Sequence, residues 1–174
     1  MVYLTIHRLN LNNIDTNDLM LKIFSGILKN ENQTKKIAEK ISQVLMHGDT
    51  VLLKGKLGTG KTLFTKFIIR SLFGVVDVTS PTFNLVKVYQ SSQLSLWHCD
   101  FYRLKKSSES EELGVFDDLE RRITIIEWPE IAKDYFQNDE LEIYLDYFSP
   151  SSNKRNIDVF GSQKWSNRLK NLND

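Results

Sequence analysis

From Asn32 onward the apolar residues fall into two rhythms. Ile37, Ile41, Val44 and Leu45 stand at i, i+4, i+7 and i+8, which predicts an amphipathic helix ending near Gly48. Thr50–Lys54 is a short apolar run that reads as a buried strand. Lys61–Phe73 returns to the helical spacing with Phe64, Phe67, Ile68 and Leu72 on one side, and Gly74 is its expected stop. A strand through Leu85–Tyr89, a turn at "SSQ" and a second strand, "LSLWHCD", follow. "SESEELGVFDDLERR" reads as a polar helix broken at Gly114, and "ITIIEW", apolar and β-branched, as a central strand. "LEIYLDYF" and "RNIDVFG" flank "SPSSNK" and predict an antiparallel pair, and a last polar helix is expected over roughly 163–172. Strands and helices alternate early and antiparallel strands come late. The expected fold is therefore α/β, a mixed central sheet flanked by helices. Residues 1–30 follow neither rhythm clearly: a strand plus a short helix and a loosely held extension both fit, and the domain is expected over 31–174.

Composition narrows the setting. The 174 residues suit one domain, and 41% hydrophobic with 26% charged residues is ordinary for a globular chain. A net charge of +1 gives no broad electrostatic case for nucleic-acid or membrane binding. The single cysteine, Cys99, excludes an internal disulfide and a cysteine-only zinc site, as suits a reducing compartment. No run approaches the ~20 apolar residues that span a bilayer. "MVYLTIHRLNLNNID" lacks the basic start and long apolar core of a secretory signal, so a cytoplasmic address is expected. His7, His47 and His98 show no metal-ligand spacing; His98, inside an apparent strand, reads as structural.

The glycines change the picture. Only 8 occur in the chain, yet Gly55, Gly58 and Gly60 fall within six positions, between a strand and a helix. Gly55-Lys56-Leu57-Gly58-Thr59-Gly60-Lys61-Thr62 fits G-x-x-x-x-G-K-[ST]. Glycines let the main chain approach a phosphate closely, and successive N–H groups form an anion nest. The helix beginning at Lys61 adds its positive end. Lys61 is expected to reach the outer phosphates and the Thr62 hydroxyl to ligate Mg²⁺. The architecture is then a P-loop NTPase-like mixed sheet with a C-terminal antiparallel strand pair. The loop implies a nucleoside triphosphate without naming the reaction.

Such a site needs an acid at the end of a neighbouring strand. Glu127 follows "ITII" and Asp100 follows "LSLWHC"; each is also readable as a solvated strand-end acid. Pro81 stiffens Ser80-Pro81-Thr82-Phe83, whose two hydroxyls could sense an outer phosphate or its magnesium, although an ordinary loop has the same look. Tyr102-Arg103 could bring a cation near phosphates or pair with an acid. Trp97, Trp128 and Trp165 read as packing residues.

Four ordered blocks, "GKLGTGKT", "SPTFNLVKVY", "HCDFYRL" and "IIEWPE", with the polar "ESEELGV" between the last two, resemble the bacterial TsaE family, also called YjeE. The resemblance runs from about residue 32 to 160. It implies a small ATPase of tRNA threonylcarbamoyladenosine synthesis that binds Mg-ATP and hydrolyses it weakly. It also implies action in a complex with TsaD and TsaB, which modify A37 of tRNAs reading ANN codons, with tRNA met through that complex. Carried over by position, the catalytic set is Lys61, Asp100 and Glu127, and the magnesium ligands are Thr62 and Glu127. Gly55, Gly58, Thr59 and Gly60 belong to the phosphate cradle, and Ser80 and Thr82 to a switch-like loop. Trp128 is implied beside the site, Thr34 near the adenine, and Arg155 as a further nucleotide contact. The family usually has Asp where this chain has Lys56, a change that touches no fixed role of the loop.

Two other functions stay open. A small-molecule kinase uses the same loop but usually needs an arginine-bearing lid, and no arginine-rich insertion is present. A nucleotide-dependent binding module would support tRNA modification even when hydrolysis is abolished. No N-K-x-D type guanine-reading segment is evident, which favours ATP over GTP.

Overall fold

The computed structural model describes residues 20–74 and 77–172. The elements run β1 (Leu21–Leu28), α1 (Glu31–Ser42), β2 (Thr50–Lys54), α2 (Lys61–Phe73), β3 (Val86–Gln90), β4 (Ser95–Asp100), α3 (Ser108–Glu112), β5 (Ile123–Glu127), β6 (Leu141–Tyr147), β7 (Arg155–Gly161) and α4 (Gln163–Arg168). One seven-stranded sheet has the order β1-β7-β6-β2-β5-β4-β3. Its centre is parallel: β2 pairs with β5 and β6, and β4 with β5. Antiparallel strands close both sides, β3 on β4 and β7 with β1 on β6.

Side chains alternate across the strands and build a core on each face. Val51 and Leu53 join Ile125, Phe64, Ile68 and Ile41 beneath α1 and α2. Leu52 joins Ile126, Cys99, Phe101 and Val115 on the opposite face. Every residue of β5 is buried, Thr124 and Glu127 included, which accounts for the three isoleucines in its five positions. Each fully buried Val or Leu of β2 contributes about 1.5–3 kcal/mol.

β2 and α2 occupy the residues their patterns predict. Gly74 closes α2 in the left-handed conformation, its N–H donating to Arg70 O. Three boundaries differ. The first helix, expected to run to Gly48, ends at Ser42, because Leu45 N–H turns back to Ser42 O and Met46 N–H is taken by the Asp49 carboxylate. The polar helix expected across "SESEELGVFDDLERR" breaks at Gly114 as predicted, but it covers only Ser108–Glu112 before that left-handed glycine, and beyond it there is just a short 3-10 turn at Leu119–Arg121 after a left-handed Asp118. The last helix ends at Arg168 rather than near residue 172, although Leu169 and Leu172 remain in the core. Residues 21–28, which the pattern left open, form an edge strand antiparallel to β7, so the sheet begins before residue 31. Residues 1–19 lie outside the described part.

Candidate functional site: a glycine loop at the carboxyl ends of three parallel strands

β2, β5 and β4 lie side by side and end on the same edge of the sheet. β2 runs into the glycine loop, β5 ends in Glu127 and β4 in Asp100, and these two acids are register partners. The edge beyond parallel strands is where α/β folds hold ligands, because the loops there are free to diverge.

The loop is shaped by close approach. Gly55 has φ 131, and a Cβ there would collide with the Leu145 carbonyl oxygen on β6. Gly58 has φ 78, and a Cβ would stand 2.6 Å from the Tyr147 hydroxyl, which donates to Leu57 O at 2.9 Å. The position a Gly60 Cβ would take is open, so here the backbone conformation alone, φ 105, calls for glycine. Thr59 Oγ1 donates to Lys56 O at 2.9 Å, fastening the loop internally. Lys56 points away, exposed, with Asp146 at 3.9 Å.

Lys61 opens α2 and is buried. Its Nζ donates to Gly55 O at 2.6 Å and Lys56 O at 2.9 Å, and it lies 3.6 Å from the centre of the Trp128 ring. The ammonium is thus held by the loop's own carbonyls and an indole face. Burial pulls its pKa below the usual lysine value, although Glu127, Glu130 and Asp100 pull the other way. Thr62 Oγ1 donates to Glu127 Oε2 at 2.8 Å. The other Glu127 oxygen is 2.7 Å from His98 Nε2. Asp100 is engaged on both oxygens: Thr82 Oγ1 donates to Oδ2, and Tyr102 N–H to Oδ1 at 3.0 Å. Ser80 Oγ is 2.7 Å from Thr82 Oγ1, so Ser80, Thr82 and Asp100 form one chain from the surface loop to the strand end.

Lys61, Thr62, Thr82, Asp100, Glu127 and Trp128 line one cavity of about 310 Å³, together with Gly58 and Gly60. On the other side of the loop, Gly58, Thr59 and Gly60 share a second cavity, about 640 Å³, with Thr34 and Arg155. Arg155 stacks its guanidinium over Tyr147, and Thr34 Oγ1 bonds Asn30 O in the first turn of α1. Gly55 and Ser80 line neither cavity; Ser80 connects to the first through Thr82. Trp128, read from its pattern as packing but from the resemblance as lying beside the site, stands in the cavity wall in a left-handed conformation with φ 58. Sequence reasoning assigned no site role to His98 or Tyr147. A histidine inside "LSLWHCD" was the available signal for the first; nothing local marks the second.

The fold and the loop together define a P-loop-type α/β protein. Residues 28–157 match the family described as threonylcarbamoyl adenosine biosynthesis protein TsaE. Relatives named "tRNA threonylcarbamoyladenosine biosynthesis protein TsaE" include that of Rickettsia felis, 42% identical over 74% of this chain and 75% of the relative. That of Aquifex aeolicus is 34% identical over 77% of this chain and 93% of the relative. In fold, the chain is similar to the crystal structure of Bacillus subtilis YdiB, with a TM-score of 0.70 at 24% identity, covering 89% of this chain and 95% of that one. The chain belongs to the TsaE family of tRNA threonylcarbamoyladenosine biosynthesis. No helix among the described residues is long and apolar enough to cross a membrane.

Proposed function

We propose that this protein is a Mg-dependent ATPase required for threonylcarbamoylation of tRNA adenosine 37. It acts with a TsaB–TsaD complex to support repeated turnover, and its hydrolysis is slow alone and stimulated by those partners. The reading rests on the family and on one observation: Lys61, Thr62, Asp100 and Glu127 converge on a single cavity beside the glycine loop. Lys61 exchanges its two carbonyl partners for the outer phosphates of ATP. Thr62 and Glu127 offer two hard oxygens 2.8 Å apart, a donor set that suits magnesium, which prefers few protein ligands and keeps its waters. When bound, magnesium neutralises charge on the outer phosphates. Asp100 orients the attacking water, and its link to Thr82 ties that role to the Ser80–Thr82 loop. Thr34 and Arg155 face the nucleoside side of the loop.

The charge inventory supports slow intrinsic hydrolysis. Among the described residues, Lys61 is the one cation lining the cavity, and no arginine reaches it. Phosphoryl transfer depends on positioned positive charge, so a missing cation leaves the reaction slow until a partner supplies it.

Reconstitution with TsaB and TsaD from the same source tests this. ATP turnover should rise on adding the partners, and repeated rounds of tRNA modification should require this protein. Fast turnover by the isolated chain, indifferent to TsaB and TsaD, would overturn partner stimulation. Undiminished rounds of modification without the protein would overturn the pathway role.

A further inference from the structure

His98 is buried in the middle of β4, one residue short of Cys99 and two short of Asp100. Its register partner on β5 is Ile125, so the ring stands on the same face of the sheet as Glu127, two residues further along. Nε2 meets Glu127 Oε1 at 2.7 Å. A carboxylate oxygen only accepts, so Nε2 carries the hydrogen. The other ring nitrogen, Nδ1, is buried and has no hydrogen-bond partner among the described residues.

That imbalance decides between two accounts of the ring. A residue kept only to fill the core would be cheaper as an apolar side chain, because an unpartnered buried polar atom carries a desolvation cost. The histidine bears that cost at Nδ1 while Nε2 holds one specific oxygen. With His98 on Oε1 and Thr62 on Oε2, the Glu127 carboxylate is pinned from both sides. Losing the first hold frees the side chain to rotate about its terminal torsions.

We infer that His98 is a positioning residue: through its Nε2 bond to Oε1 it orients the Glu127 carboxylate so that Oε2 faces Thr62 and the magnesium position. This rests on the Mg-ATP reading above. It goes beyond that reading in giving a role to a side chain that touches neither nucleotide nor metal. Outer partners of metal-binding carboxylates tune affinity in this way.

The test compares His98→Gln, His98→Asn and His98→Leu with the parent chain. Each is titrated with a non-hydrolysable ATP analogue across a range of Mg²⁺ concentrations, and its melting temperature is measured. Gln can place an amide N–H near Nε2, whereas Asn reaches only the Nδ1 position. The expected result is a Mg²⁺ midpoint raised about tenfold or more in the Asn and Leu variants and within about threefold of the parent in Gln, with metal-free analogue binding unchanged. Should the Leu variant fail to fold, the Gln–Asn pair carries the same comparison. Unshifted midpoints alongside lowered melting temperatures would show a packing role and overturn the assignment, as would a Gln variant as impaired as Asn. Failure of the underlying reading looks different: the parent itself would bind the analogue without regard to Mg²⁺.

Discussion

The two ends of strand β2 handle charge in opposite ways. Just before it, Asp49 is buried, and Arg168 Nη1 stands 2.9 and 2.7 Å from its two oxygens. Met46 N–H donates to Asp49 at 2.9 Å, and Lys164 is 3.7 Å away. Lys164 in turn pairs with Asp139 at 2.6 Å, and Trp165 Nε1 donates to Asp139 O at 2.8 Å. These groups clamp α4 to the bottom of the sheet and leave little unused. Just after β2, Lys61, Glu127 and Asp100 are equally sheltered, yet they surround an opening. Lys61 there is held by two uncharged carbonyls and a ring rather than by an opposite charge. Burial of charge is common to both ends. At the anchor the charges are paired with one another, while at the glycine loop they are held by hydroxyls, carbonyls and rings.

Four experiments can break that contrast or sharpen it. Asp100→Asn should cost the most: partner-stimulated hydrolysis falls about a thousandfold in single-turnover assays, while Mg-ATP affinity stays within about tenfold, or 1.4 kcal/mol. Equal losses in both would make Asp100 a binding group. Lys61→Ala should lower ATP affinity about a hundredfold by calorimetry, near 2.7 kcal/mol, with the melting temperature preserved. Unchanged affinity would remove the phosphate-loop assignment.

At the other end, Asp49→Ala should destabilise the fold by about 2 kcal/mol in urea, since it strips Arg168 of its carboxylate and Met46 N–H of its acceptor. Nucleotide affinity should not change. A loss of binding equal to that of Lys61→Ala would mean the two ends are coupled, and the contrast would fail.

The smallest effect is expected at Lys54, which ends β2 and meets Glu142 at 2.6 Å. Burial pulls its ammonium down, but hydrogen bonds with Glu142 and Tyr144 outweigh that and leave its pKa above the ordinary 10.5. Its stabilising contribution, about 1 kcal/mol or less, is therefore complete below the ordinary lysine value and lost as pH rises through the higher folded one. As pH rises from neutrality, the difference in stability between parent and Lys54→Met should shrink only once conditions are strongly alkaline; shrinkage just above neutrality would contradict the raised value.

The sequence was most legible where local rules and the tertiary structure agree. β2 and α2 were readable to the residue because a strand, three glycines and a glycine stop punctuate them. The polar helix after Ser107 and its break at Gly114 were legible, but the stretch beyond the break is not the helix expected, because the left-handed Asp118 reverses the chain and Val115 turns into the core beside Phe101. β1 was obscure because its hydrogen bonds come from β7, far along the sequence, and its alternation is only half buried. For the site, the loop lysine and the strand-end acids were visible from pattern alone. Thr34 and Arg155 came through resemblance, since nothing local ties residue 34 to 155. His98 was seen but read as structural, because its bond to Glu127 exists only once β4 and β5 lie in register.

The pairing of β1 with β7 also bears on how the chain assembles. Leu21 lies against Gly161 and Leu28 against Arg155. β1 must therefore wait for β7, across a segment that contains all five other strands of the sheet. Closing so long a loop is entropically slow compared with forming the neighbouring pair β6 and β7. The expected order is that the sheet from β7 to β3 consolidates first and β1 is added last, as a latch. A mutation that weakens only this latch should speed unfolding and leave the refolding rate nearly untouched.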